Sequence, residues 1–283
     1  MSRRLKCLCL GIIICVPAYP VLGDPAAPGG KPGGGGARIS LVPIGDVPEP
    51  KYDLTPDGKR VFKETPESET PPLLLYYREG GKLTPLNLGL NSPAATIRYD
   101  GAPELSLFAT PKAGAEPFIK VAIPATKEDT TVFMVRNPET KSWRKAPLVK
   151  VYENGLKSFP KNSLRILNFS KVPITFQAMK GEATDVPAST PAADVPHLVP
   201  LPPAEQGILQ YKITTRGEGA PVVIAETATT YPADARINLV AYDVDGDDKT
   251  KPVKIVVYFE LPYKDAASPG EKGSKGAKPP VKR

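Results

Sequence analysis

The chain is poor in the side chains that make and break bonds. Its 283 residues include one histidine, one tryptophan, three methionines and three cysteines, and the cysteines, Cys7, Cys9 and Cys15, all stand near the N-terminus. A chain cut behind that stretch forms no disulfide and holds no thiolate-bound metal. Its fold must then rest on its core, which a chain of this length can supply. The single histidine, His197, follows Pro196 in a Pro/Ala-rich stretch, a poor scaffold for a base that must be held within hydrogen-bond reach of a substrate. Neither a histidine–cysteine metal cluster nor a histidine-based triad can be assembled. No glycine-rich phosphate loop stands between a strand and a helix, and among 30 acidic residues no spacing singles out a carboxylate pair. Long apolar runs are missing too: the uncharged run from Cys7 to Val16 meets Pro17 and Pro20, well short of the roughly 20 residues that span a bilayer.

That short run has a different meaning. Arg3, Arg4 and Lys6 precede it, and Val21 and Gly23 sit three and one before Asp24. This is the pattern of a secretory signal peptide over 1–23, cut after Gly23, with a retained signal anchor as the other reading. A lipoprotein would need a small residue before Cys15, where Ile14 stands. The expectation is a periplasmic, envelope-bound or secreted protein with no transmembrane helix in the mature chain. The formal charge of +7 belongs to the ends: the leader is basic, and the tail at 264–283 carries six basic and two acidic residues. The body between them is balanced. A phosphate-binding surface needs its cations on one folded face, so the expected partner is an envelope protein or polymer and not nucleic acid. The basic tail reads as a solvated charge run or as a tether to an anionic envelope polymer or lipid headgroup.

What the chain does have is 35 prolines, 24 glycines and a recurrent two-residue alternation. Residues 24–72, with an unbroken glycine run at 33–36, read as a flexible spacer. Within it, Ile39, Leu41, Val42 and Ile44 could dock as an edge strand, Pro43 confining them to an edge. From 73 onward, short runs of Val, Ile, Thr, Tyr and Phe alternate with Pro, Gly, Asn and Asp turns, and no convincing amphipathic helix appears. Leu74 and Tyr76, then Glu79, Gly80 and Gly81, then Leu86 and Leu88 predict a hairpin. Leu164 and Ile166, then Ser170 to Val172, then Ile174 and Phe176 predict a second, with Leu167 and Phe169 slipping to the opposite face.

Laid over each other, these hairpins match at an offset of 88, Pro85 on Pro173. Later strands match at 104 to 105: Leu105 on Leu209, Ile119 on Ile224, Val132 on Ile237. The reading is a duplication, all-β, with two tandem immunoglobulin-like antiparallel β-sandwich units at 73–160 and 161–263 and an inserted Pro/Ala loop at 184–203 in the second. One irregular, unduplicated sandwich is the alternative. The alternating Val253, Ile255, Val257, Phe259 and Leu261 predict a central core strand. The run Leu164-Arg165-Ile166-Leu167-Asn168-Phe169-Ser170 resembles the opening strand of bacterial secreted domains built from repeated β-hairpins. The resemblance implies an envelope-associated β-sandwich and brings no catalytic motif.

Two loops occupy matching places in the copies. In the second, Asp243, Asp245, Asp247 and Asp248 surround Gly246. Oxygen donors at alternate positions resemble the start of a calcium loop, but no completing glutamate follows, and an Asp/Gly hairpin turn is the plain reading. No other cofactor is expected. In the first copy, Lys141, Trp143, Arg144 and Lys145 form a basic loop with the sole tryptophan. It can stack on a sugar or anchor a protein contact, or simply cap the sandwich. Opposite charge at matching positions also allows head-to-tail self-association. The function expected is that of a non-enzymatic structural or protein-interaction module. A glycan-binding module using Trp143 stands second, and a carboxylate-pair hydrolase third.

Overall fold

Alternating β-branched and aromatic residues between Pro- and Gly-rich breaks leave no stretch that favours a helix, and every element among the described residues is a strand. The computed structural model describes residues 37–93, 95–99, 103–125, 128–137, 139–145, 147–179, 181–189, 195–202, 207–216, 220–244 and 252–260. The expected leader and tail lie outside them. Among the described residues no helix is long and apolar enough to cross a membrane. The first half contains β1 (Ala37–Ile44), β2 (Lys51–Leu54), β3 (Arg60–Lys63), β4 (Leu74–Glu79), β5 (Lys82–Asn87), β6 (Ala95–Tyr99), β7 (Glu104–Phe108), β8 (Ile119–Ala122), β9 (Thr130–Val135) and β10 (Leu148–Glu153). The second contains β11 (Ser163–Asn168), β12 (Ile174–Ala178), β13 (Ala183–Val186), β14 (His197–Pro200), β15 (Ile208–Thr215), β16 (Val222–Thr230), β17 (Arg236–Asp243) and β18 (Val253–Glu260).

The halves share one topology. One sheet of the first runs β10-β9-β1-β6 and that of the second β18-β17-β11-β14; the other sheets run β5-β4-β7-β8 and β13-β12-β15-β16. In each half the first strand pairs in parallel with the penultimate one, β1 with β9 and β11 with β17, while every other pair is antiparallel. Between the two sheets of the first half lies a core with Leu41, Leu75, Leu107, Val132 and Met134. Its counterpart in the second half contains Ile166, Phe176, Ile213, Ile237 and Leu239.

This correspondence corrects the copy alignment. β11 and β12 do not form a hairpin: β11 pairs with β14 and β17, and β12 with β13 and β15, in different sheets. The true counterpart of β11 is β1, and that of the β4–β5 hairpin is β12–β13. The offset of 88 therefore paired strands one element apart, whereas the match near 105 for the later strands stands. The supposed Pro/Ala insertion at 184–203 contains most of β13 and all of β14, the counterparts of β5 and β6. The real addition is in the first half, where the β2–β3 hairpin has no equivalent.

Two further expectations change. Ala37–Ile44, inside the supposed spacer, is an interior strand flanked by β6 and β9. Pro43 is tolerated because pairing with β6 ends at Leu41. Its carbonyl on that side accepts from the Asn91 N–H at 2.8 Å, so its missing N–H faces no ladder. β18, expected at the centre, is an edge strand, paired only with β17 among the described residues; Leu261 lies outside them. The β4–β5 hairpin forms as expected, its turn made by Gly80 at φ 55° and Gly81 at φ 84°, left-handed values that match the strands' twist.

A third core joins the halves. The face of β1, β9 and β10 turned away from the first core carries Val42, Ile44, Phe133, Val135 and Tyr152, and it packs on Leu167, Phe169, Val240, Tyr242 and Tyr258. The sheets thus stack four deep, and β9 and β11 are buried on both faces. Phe133 meets the rings of Phe169, Tyr152 and Tyr258 at 5.5, 5.8 and 6.2 Å between centroids. Pairs of this kind add about 0.5–1.5 kcal/mol each beyond burial of area. The parity slip at Leu167 is thereby explained without a bulge: both faces of β11 are apolar because both are covered.

Candidate functional site

The seam between the halves closes at one end on charge and opens at the other into a cleft. Parallel pairing brings the C-terminal ends of β1, β9, β11 and β17 together there. The cleft has a volume of about 180 Å³, with Ile44, Asp46, Arg136, Lys141 and Trp143 among its walls on one side and Phe169, Lys171, Tyr242 and Asp243 on the other. Asp46 crosses the seam, its carboxylate accepting from the Tyr242 hydroxyl at 3.0 Å and from Lys254 Nζ at 2.9 Å. Asp243 Oδ1 accepts from the Lys171 backbone N–H at 3.0 Å. The Asn137–Ser142 bridge holds the basic loop in shape. Asn137 Oδ1 accepts from the N–H groups of Glu139 and Thr140, and Lys141 takes φ 49°, its carbonyl accepting from Arg136 Nε at 2.5 Å.

At the far end Arg165, 1% exposed, is the hub of a buried polar network. Its Nε donates to Asn238 Oδ1 at 2.7 Å, and its terminal nitrogens donate to the Glu153 carbonyl at 3.1 Å, Asn154 Oδ1 at 2.9 Å and Glu260 Oε1 at 3.2 Å. Glu260 also accepts from Thr131, Asn154 and Asn238. The guanidinium lies 4.2 Å from the Phe159 ring centroid. Burial pulls the Arg165 guanidinium below its usual range, and the Glu260 carboxylate pushes it back up. Since Thr131, Glu153 and Asn154 belong to the first half and Arg165, Asn238 and Glu260 to the second, the network is a clamp between the halves.

A second feature lies away from the seam. The β2–β3 hairpin pairs Tyr52 with Phe62 and Leu54 with Arg60, which places Tyr52, Leu54 and Phe62 on one face. They are 54%, 71% and 59% exposed. Tyr52 and Phe62 meet edge to face at 6.0 Å. On the opposite face the charges are paired: Lys51 bonds Glu69 at 3.0 Å, and Lys63 lies 3.7 Å from Asp53.

The residues singled out from the sequence fall in three places. Trp143 is not exposed; at 1% it belongs to the first core, with only its edge at the cleft. It packs so closely on Gly45 that a Cβ there would stand 2.7 Å from its ring. Lys141 lines the cleft, whereas Arg144 reaches over Phe118 at 6.0 Å and lies 3.7 Å from Glu67, and exposed Lys145 continues the loop. Asp243 closes β17 at the cleft; Asp245, Asp247 and Asp248 lie outside the described residues. Lys141 and Asp243, expected to pair between molecules, thus line one cleft within one chain. His197 opens β14, half-buried and paired in register with Ile166. Arg165, Glu260 and the exposed hairpin were not anticipated. The signal for Arg165 was its parity with Leu167 and Phe169, which marks a covered face.

No protein-family model matches the chain, and no curated protein sequence matches it. Among solved structures, one from Bacteroides eggerthii DSM 20697, provisionally described as a cell adhesion protein, aligns over 82% of this chain and 97% of its own. The identity is 12% and the TM-score 0.19. So loose a superposition carries neither fold nor function from one chain to the other.

Proposed function

We propose that the chain is a non-enzymatic interaction module of a bacterial envelope, exported by its leader. Two immunoglobulin-like sandwiches serve as a stiff base for the β2–β3 hairpin, which binds a protein partner. The observation that carries this reading is the exposed face of Tyr52, Leu54 and Phe62 on an element that only one half possesses. Clustered apolar exposure of this kind marks contact surfaces, and aromatic residues dominate binding energy where proteins meet. The hairpin's two outer edges pair with no other strand among the described residues, so main-chain pairing with a partner strand is also open to it. The clamp and the aromatic seam fit a base that holds its shape under load. A glycan reading loses its main support with Trp143 in the core.

The test compares the wild-type chain with the triple variant Tyr52→Ser, Leu54→Ser, Phe62→Ser, each immobilised and exposed to an envelope fraction. A protein retained by the wild type is identified, purified and titrated against both chains. The proposal requires affinity to fall by tenfold or more in the variant. Equal affinity for both chains would end it.

A further inference from the structure

The geometry points to the cleft at the seam as a binding site for a single-ring carboxylate, an aromatic acid or a sugar acid, independent of the hairpin's partner. Three observations converge on this class of ligand.

The first is charge. Arg136, Lys141 and Lys171 bring three cationic side chains to the walls, Lys171 from the second half and the others from the first, against Asp46 and Asp243. The two carboxylates already accept hydrogen bonds, Asp46 from Tyr242 and Lys254 and Asp243 from the Lys171 backbone. The Lys141 and Lys171 side chains are exposed at the rim. An incoming carboxylate therefore meets the Lys141 and Lys171 ammonium groups, neither of which bonds to a carboxylate among the described residues, and charge-assisted bonds are the strong ones.

The second is size and lining. A cleft of about 180 Å³ is slightly larger than the roughly 150 Å³ cavity that holds one benzene ring. Its floor is apolar and aromatic, with Ile44, Leu148, Phe169 and the edges of Trp143 and Tyr242. A flat ring can cover that floor while its carboxylate stays at the cationic rim. A bare inorganic anion would leave the floor wet.

The third is construction. Lys141 holds a left-handed backbone at φ 49°, which costs a non-glycine residue about 1 kcal/mol or more and is found where a side chain's placement matters. The turn is fixed by Asn137 and by the Arg136 bond to the Lys141 carbonyl. The site also lies where equivalent strand ends of two halves meet, a preferred position for ligand sites.

Trp143 is the only tryptophan of the chain and borders the cleft, so its fluorescence senses a ligand bound there. The full chain is titrated with benzoate and with glucuronate, and, as controls, with benzyl alcohol, glucose and inorganic phosphate. A saturable change with one or both ring acids, absent with the neutral rings and weaker with phosphate, is expected. Which acid binds more tightly separates an aromatic from a sugar source. Lys171→Ala and Lys141→Gly, the latter chosen because glycine keeps the left-handed turn, should each weaken binding about tenfold, as loss of one charge-assisted contact implies. Both lysines are exposed, and unchanged thermal melting of the variants will confirm that the fold is intact. No saturable response to either acid overturns the proposal, as does equal affinity for phosphate or binding unaltered in a chain carrying both Lys141→Gly and Lys171→Ala.

Discussion

The two halves follow the same strand order yet use their surfaces differently, and the difference lies in what each adds to a shared plan. The first half inserts the β2–β3 hairpin between its first strand and the next, whereas the second joins β11 to β12 directly through 169–173. The first fills its core with Trp143 packed on Gly45; the second has no tryptophan and uses Phe176 against Tyr211 at 5.8 Å. Where they meet, the contributions differ in kind as well. At the clamp the second half supplies the ions, Arg165, Arg236 and Glu260, and the first supplies neutral caps, Thr131 and Asn154, with the ring of Phe159 from the connection. The shared strand order gives the two sandwiches the same frame, while their facing surfaces are complementary and not alike. One copy is left to present a hairpin, the other to close the seam.

That asymmetry can be broken at its strongest point first. Glu260→Ala leaves Arg165 buried without its carboxylate, and the expected cost is about 3–5 kcal/mol, read from urea denaturation. Phe133→Ala, which removes the ring that meets Phe169 and Tyr258 across the seam and Tyr152 beside it, is expected to cost at least about 3 kcal/mol. An equivalent truncation at Phe169 should cost a similar amount if the seam is shared evenly. Gly45→Ala forces a methyl against Trp143, and about 1–3 kcal/mol is expected, with a change in tryptophan emission as an independent sign.

Alkaline pH sharpens the comparison between core and seam. Burial, reinforced by the Glu260 carboxylate, pushes the Tyr258 hydroxyl at the seam well above its usual value near 10. Burial and a hydrogen bond to Glu79 push Tyr77, in the first core, up to about 12. The folded chain keeps both protonated while the unfolded chain ionises near pH 10. Their stabilising effect is therefore complete below pH 10 and is lost as pH rises toward 12. The melting temperature should begin to fall near pH 10. Tyr258→Phe should reduce that fall at little cost at neutral pH, because the buried Tyr258 hydroxyl meets no partner with hydrogen-bond geometry among the described residues, Arg165 acting on it only as a nearby charge. Smallest of all, the triple serine variant of the hairpin should shift stability by no more than about 0.5 kcal/mol, since all three side chains are more than half exposed.

Local signals were legible in the sequence where pairing is local. Glu79-Gly80-Gly81 announces a tight turn, and the strands beside it pair with each other. Alternation likewise revealed β7 to β12 and β15 to β18 with correct type. What the sequence concealed is who pairs with whom. β11 finds β17 some 70 residues away in parallel, and no turn signal marks such a partner. β1 was obscured by the glycine run before it and by Pro43 within it, whose acceptability depends on β6 ending two residues earlier. β13 and β14 are four residues each among prolines, too short for alternation to speak. Trp143, surrounded by cations, reads either as a contact residue or as a cap on the sandwich until Gly45 is seen to make room for its ring. For the cleft, the sequence supplied Lys141 and Asp243 but not their meeting, which follows from two parallel pairings that alternation does not encode.

The most direct test of the locked pair of halves is urea denaturation followed by two signals at once. Fluorescence of Trp143 reports the first core, and far-ultraviolet circular dichroism reports strands in both halves. Because the aromatic seam and the Arg165 clamp tie the halves together, the two curves should coincide with one midpoint. A circular dichroism transition that separates from the tryptophan transition, so that one half unfolds while the other persists, would contradict the claim that the seam makes them one body.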